Sequence, residues 1–282
     1  MPLPQLSGLV VGLLILLTSA TFPVVVARYS HLHTATNYYI CTLCLIDCLL
    51  GLVYVTHSTL RFALSLQSPT FCLSTLAATT FSLTASNVVI FWLALDRHTA
   101  LRNPLSYPLL VTSGTVLRRV LLAAALALVV NGLGICWQLL AGHRLPDAVS
   151  DCFTASVRIL GAKASALLYI TNLGIVTATL LLNLTLACSA RRLLRRSLHV
   201  RQFYYLLRIF LLYGICLVPF SVHGLMQALT SIKPEVDEVD PWWVVVVIMR
   251  ALFNFADSWL YCSSPELRQA HLHFFCGASL YP

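Results

Sequence analysis

Charge is scarce in this chain. Only 10% of its 282 residues are Asp, Glu, Lys or Arg, against roughly one-quarter in a soluble globular domain. With 59% apolar residues, that scarcity excludes an ordinary water-soluble domain and implies an integral membrane protein. Residues 1 to 27 carry no charged side chain at all. A cleaved signal peptide would want a basic start and a small-residue cleavage site; both are poorly matched, so the first apolar run is read as a retained span. Nor is there a basic patch attached to a nucleic-acid module. The formal charge of +8 comes from basic residues dispersed between apolar runs, which argues against nucleic acid as a partner. The ten cysteines are equally dispersed. Cys41, Cys44, Cys48 and Cys188 fall inside apolar runs, where they act as small buried hydrophobes and not as a disulfide scaffold. Internal repeats and paired broken helices are missing, which weighs against a transporter or channel subunit. Ser86, His57 and His223 come with no nucleophile motif, which weighs against an intramembrane hydrolase. Asn183-Leu184-Thr185 has the glycosylation pattern but lies within an apolar run, where no glycan could be attached.

What the chain does have is length in its apolar runs. Stretches of about 20 residues or more, enough to cross a hydrocarbon core as helix, can be drawn at 7–27, 38–64, 71–95, 117–141, 165–189, 204–229 and 241–262. The connections between them are short, leaving no room for a second folded domain. The expected fold is an all-α membrane protein: one seven-transmembrane helix bundle over residues 1–282, with a short C-terminal amphipathic helix.

Lys and Arg placement sets the orientation. With the N-terminus outside, Arg28, Arg97, Arg102, Arg118, Arg119, Arg191, Arg192, Arg195, Arg196, Arg201, Arg208 and Arg268 fall at the cytoplasmic face. The outer side keeps Arg61, Arg144, Arg158, Lys163 and Lys233, together with the acids Glu235, Asp237, Glu238 and Asp240. The chain is therefore expected in the plasma membrane as a multi-pass protein, N-terminus extracellular and C-terminus cytoplasmic. The strip from Arg191 to Arg201 serves equally as a G-protein surface or as a topology signal that attracts anionic lipid. After the last span, Ser263-Ser264-Pro265-Glu266 has the serine cap, first-turn proline and early acid of a helix start. The segment 264–275 then offers Leu267, Leu272, Phe274 and Phe275 to the membrane surface. Cys276 beyond them is either palmitoylated or a free thiol.

Ionisable groups inside apolar spans are expensive, so Asp47, Asp96, Arg97, Arg250 and Asp257 need explaining first. Leu95-Asp96-Arg97-His98, followed by Asn103-Pro104-Leu105-Ser106-Tyr107, resembles the Asp-Arg-Tyr and Pro-Leu-x-Tyr elements of rhodopsin-like G-protein-coupled receptors. Leu43 to Asp47 resembles that family's second-span Leu-x-x-x-Asp element. Cys216-Leu217-Val218-Pro219 resembles the sixth-span Cys-Trp-x-Pro, and Asp257-Ser258-Trp259-Leu260-Tyr261 the seventh-span Asn/Asp-Pro-x-x-Tyr. These matches stand in order, each at the fitting end of its span, and extend the resemblance from about residue 37 to 275.

The resemblance implies roles. Asp96, Arg97 and His98 would form the G-protein switch, with Tyr261 as the active-state partner of Arg97; the plainer alternative is an acid neutralising a cation at the membrane edge. Pro219, with Cys216, would mark a hinge in the sixth helix, or a static bend. Cys72, 24 residues before Asp96, would pair with Cys152 of the second outer loop. Asp47, Ser86 and Asp257 match positions that surround a sodium ion, and oxygen ligands suit a hard cation; a proton-sharing acid pair or pairing with Arg250 are the alternatives. No other cofactor is implied. The partners would be a heterotrimeric G protein, a small-molecule ligand and the bilayer. Departures are several: Leu217 stands for the sixth-span Trp, Ser258 for the seventh-span Pro and His98 for the triplet Tyr. The first span lacks its Asn, the fourth its Trp and the fifth its Pro. These keep open a receptor-like protein that no longer signals, and make the chain look more odorant-like or orphan than aminergic. Thr79 stands where aminergic receptors hold an Asp. A pocket among His57, Arg61, Thr79, Thr80, Leu83, Leu217, Phe220, His223 and Arg250 would be cationic, favouring a small anion such as a carboxylate.

Overall fold

The computed structural model describes residues 3–64, 68–140, 159–193, 200–230, 242, 245–246, 248–254 and 265–276. They form helices α1 (Leu3–Arg28), α2 (Ala35–Leu64), α3 (Pro69–Arg102), α4 (Ser113–Leu140), α5 (Ala162–Leu193) and α6 (Val200–Thr230). Residues 248–254 are also helical (α7), and Pro265–Cys276 forms α8. Short helical turns at Ser30–Leu32 and Tyr107–Leu110 connect α1 to α2 and α3 to α4. Among the described residues six helices, α1 to α6, are long and apolar enough to cross a membrane. Of the expected seventh span at 241–262, the helical residues 242, 245–246 and 248–254 are described.

A helix satisfies almost all of its backbone polar groups internally, the condition for crossing hydrocarbon. The ends are set locally. α3 begins at Ser68, whose hydroxyl accepts from the Phe71 amide at 3.3 Å, with Pro69 in the first turn. It runs seven residues past the expected end at 95, because Asp96 and Arg97 neutralise each other within the helix. It stops at Asn103, which leaves helical geometry before Pro104.

α3 is the axis of the bundle. Two-thirds of its most apolar stretch (67%) is buried, against 22% for α4; it packs on α2, α4 and α5. α4 turns Leu117, Leu121, Leu128, Leu133 and Trp137 outward, as a lipid-facing helix does. α1 and α2 pack most closely, at Gly12 and Gly51. A Cβ on either glycine would stand 2.9 Å from the other's carbonyl oxygen, so small residues set that approach. At the Arg97 end, α8 buries Leu267 and Ala270 while Leu272, Phe274 and Phe275 remain exposed. The phenol of Tyr29, just after α1, hydrogen-bonds His273 Nδ1 at 2.7 Å. This is the amphipathic helix expected at 264–275.

At the other end, Ile159 and Leu160 pack on Cys72, Leu76, Ala164 and Leu168. Gly161, with φ of 77°, then turns the chain into α5. That left-handed conformation strains any residue with a Cβ.

Candidate functional site

The last two turns of α3 carry a closed polar knot. Asp96 is completely buried and Arg97 only 24% exposed at the side chain. Adjacent helical residues do not face each other, so Arg97 must fold back: its Nε and Nη2 donate to Asp96 Oδ2 at 3.1 and 2.6 Å. Nη2 also donates to the Thr36 hydroxyl at the start of α2 and to the Tyr107 hydroxyl at 2.9 Å. Tyr107 in turn donates to Asp96 Oδ1 and Oδ2 at 3.1 and 3.0 Å. One arginine thus ties α3 to α2 and to the turn after α3. His98 is partly exposed and takes part in none of these bonds. Beside the knot, Arg119 of α4 donates to the buried Tyr39 hydroxyl at 3.1 Å and lies 5.1 Å over the Trp92 ring. Tyr261, the expected partner of Arg97, lies outside the described residues, as does Asp257.

Deeper in the bundle a small cavity, with room for about one water, is lined by Asp47, Leu50, Ser82, Leu83, Ser86, Asn87, Leu217, Arg250, Phe253 and Asn254. Two sets of residues expected to do different work therefore meet: Asp47 and Ser86 of the sodium expectation, and Leu83, Leu217 and Arg250 of the pocket expectation. Arg250 is 8% exposed. Its Nη2 donates to the Thr79 carbonyl at 3.4 Å, and its guanidinium lies 4.9 Å over the Phe220 ring. Thr79 and Thr80 donate their hydroxyls to the Leu76 carbonyl within α3, at 2.9 and 2.8 Å. His57 stacks on Phe71 with ring centroids 5.3 Å apart and lies 3.4 Å from the Thr75 hydroxyl. His223 lies 3.1 Å from Gln227 Nε2. The structure thus joins Arg250 to Thr79, Phe220, Leu83 and Leu217, while His57 and His223 have contacts of their own.

Next to this cavity is a polar chain that the search for ionisable residues passes over. Asn87 Nδ2 donates to Asn172 Oδ1 at 2.7 Å, Asn172 Nδ2 donates to the Thr84 hydroxyl at 3.2 Å, and the Tyr213 hydroxyl donates to Asn87 Oδ1 at 3.2 Å. All four residues are buried, and they link α3, α5 and α6. The Tyr213 ring meets Phe253 of α7 edge-on at 5.8 Å. The signal was present in the sequence, since each Asn interrupts a long apolar run, but neutral amides are cheaper there than charges and attract less notice.

Hinge candidates Cys216 and Pro219 lie in α6, which continues through the proline. Pro219 has no N–H, so the Ile215 carbonyl lacks its usual helical donor. Cys72 is disulfide-bonded; Cys152, its expected partner, lies outside the described residues.

Comparison with known sequences decides the family. The sequence profile described as "7 transmembrane receptor (rhodopsin family)" matches residues 23–256. The chain belongs to that family. As a rhodopsin-family receptor chain it is a multi-pass membrane protein. It is similar to Dopamine receptor 2 of Drosophila melanogaster, 37% identical over 90 residues, which cover 31% of this chain and 17% of that protein. It is also similar to Trace amine-associated receptor 5 of Mus musculus, 39% identical over 115 residues (38% of this chain, 33% of that protein). The Alpha-1A adrenergic receptor of Cavia porcellus is 33% identical over 135 residues (46% and 29%). The matched stretches thus span between a sixth and a third of these relatives.

Proposed function

We propose that this rhodopsin-family chain is a G-protein-coupled receptor that turns binding of a small extracellular ligand into activation of a heterotrimeric G protein. The observation that carries the reading is the Asp96–Arg97 pair, locked to Thr36 and Tyr107 at one end of the bundle. A buried acid holds a cation at the membrane edge, and an arrangement tied at three points has two discrete states, tied and released. A ligand that favours the released state shifts the population towards it, frees Arg97 for Tyr261 and opens a surface that the G protein reads. The topology has seven spans, the seventh over 241–262, with the N-terminus extracellular, the Arg97 end cytoplasmic and the plasma membrane as location. A Cys72–Cys152 disulfide would tie the second outer loop to α3; burial of Ile159 and Leu160 against Cys72 supports it. No bond is made or broken in this mechanism, and the chain works as a receptor, not an enzyme. The experiment is ligand-independent coupling measured in membranes, with Arg97→Ala as the control. Full coupling by that variant would sink the reading.

The ligand is a small anion, such as a carboxylate. Arg250 is the charged group beside Thr79, and its planar fork of five donors is not exhausted by one carbonyl. An amine is the second reading, favoured by the names of the three relatives. It needs an acid facing the ligand, whereas Thr79 spends its hydroxyl on its own helix. Carboxylate and amine panels on the wild type and Arg250→Gln decide between them: an amine response that survives the substitution overturns the anionic reading.

A further inference from the structure

The sodium expectation at Asp47, Ser86 and Asp257 can be tested against the chemistry of the cavity that Asp47 and Ser86 line. A sodium ion needs oxygen ligands around it and no competing positive charge. α3 adds Ser82 and Asn87 to the lining, so oxygen atoms are at hand, but α7 contributes Arg250 and, one turn on, Asn254 to the same small cavity. Arg250 has donors and no acceptor. Asn254 is buried, and its Nδ2 has no hydrogen-bond acceptor among the described residues. A guanidinium lining a cavity with room for about one water disfavours a second cation there, by on the order of thirty-fold at ~8 Å and an effective dielectric of ~20. Asp47 and Ser86 do not fit a sodium ion while Arg250 shares their cavity.

We propose that Arg250 is the resident cation of the Asp47 cavity, a guanidinium tethered by α7 that supplies the positive charge a diffusible sodium ion would otherwise bring, so that this receptor is indifferent to sodium. Its position is fixed from three sides. The Thr79 carbonyl accepts one N–H, the Phe220 ring covers one guanidinium face, and Asp47 brings the opposite charge to the same cavity. The tether has a mechanical consequence. A diffusible ion can leave when the helices shift, whereas Arg250 leaves Asp47 only if α7 moves, so the charge state of the core is coupled to the position of α7.

The proposal deepens the receptor reading, but its test uses neither ligand nor G protein, so its failure leaves that reading standing. The full chain, purified in lipid nanodiscs, is unfolded thermally in sodium, potassium or N-methylglucamine chloride at equal ionic strength. The wild type is expected to melt at one temperature in all three. Arg250→Gln is expected to gain a sodium-specific rise of about 2 °C, which Asp47→Asn in the same chain removes. A wild-type midpoint that rises with sodium and is flattened by Asp47→Asn overturns the proposal; so does an Arg250→Gln protein that stays blind to sodium. If Arg250→Gln does not fold, the Asp47→Asn/Arg250→Gln double variant decides. A tethered pair predicts that removing both charges restores folding, and a double variant that, like Arg250→Gln, fails to fold overturns it.

Discussion

Arg97 and Arg250 are both cations in an apolar bundle, yet they meet opposite surroundings. Arg97 sits at a helix end and bonds an adjacent acid, a threonine and a tyrosine from three segments of chain. Arg250 sits in the interior, holds one backbone carbonyl and an aromatic face, and shares a cavity with its acid. Water at the membrane edge can replace any bond that opens at Arg97, whereas Arg250 has beside it only a cavity with room for about one water. The first arrangement suits a group that must be released and recaptured, the second a group held in place in the core with donors left over for an anion.

The sharpest test of that division is at Arg97. Arg97→Ala removes the donor of four hydrogen bonds and the group proposed to engage in the active state. Coupling should be abolished while surface expression stays largely intact, because the lost bonds lie at the edge of the bundle. Receptor that signals fully, or that never reaches the surface, would each break the comparison, the first by denying the switch and the second by making Arg97 structural.

Stability should show the reverse ranking. Asp47→Asn strands a buried guanidinium and is expected to cost about 3 kcal/mol. Asp96→Asn also removes a buried carboxylate, but it leaves Arg97, 24% exposed, close to water with Thr36 and Tyr107 still bound, and is expected to cost less, about 2 kcal/mol. Denaturant or thermal unfolding of the two variants checks this, and equal losses would erase the distinction.

The sequence made the two arginines visible but not their settings. Apolar run length located helices α1 to α6, and the charges of Asp96 and Arg97 marked their end of α3, since charge inside an apolar run has few innocent explanations; Tyr107 stood only as a motif element, with Tyr261 as the expected partner. Thr36 was hidden: a threonine at the start of a span carries no signal, and only the packing of α2 on α3 brings it to Arg97. The shared cavity was hidden for a related reason. Asp47, Ser86 and Arg250 come from α2, α3 and α7, and spacing within one helix says nothing about which faces meet. The same limit kept Asn87, Asn172 and Tyr213 apart on the page, although they form one chain of hydrogen bonds.

That polar chain lies between the two arginines and lets the comparison be refined. Tyr213 is the α6 member, six residues before Pro219, so its bond to Asn87 resists displacement of α6 from α3. Tyr213→Phe keeps the ring against Phe253 and deletes one buried hydrogen bond, an expected loss of about 1 kcal/mol in stability. Basal coupling should rise about fivefold if the whole of that bond is spent in the tied state. A stability loss without any change in basal coupling would assign the chain to packing alone.

The smallest effect is expected at Tyr107, which belongs to the Arg97 knot but lies outside the spans. Its hydroxyl donates to both Asp96 oxygens and accepts from Arg97. Burial, the dominant cause, with Asp96 adding to it and Arg97 opposing, pushes the phenol up to about 12. Because that value is raised, deprotonation weakens the folded state only as pH climbs above the ordinary value near 10. The donor to Asp96 is therefore intact throughout the physiological range. Tyr107→Phe preserves the ring, over which the Arg97 guanidinium lies at 5.8 Å, and removes only the hydroxyl. With Thr36 and Asp96 still holding Arg97, the tied state should lose about 0.5 kcal/mol and basal coupling should rise about twofold. Basal coupling of wild type should also stay flat from about pH 6 to 9 as far as Tyr107 is concerned, and the variant should show the same profile. A variant whose basal activity fell, as in Arg97→Ala, would mean that Tyr107 supports the released state and not the tied one.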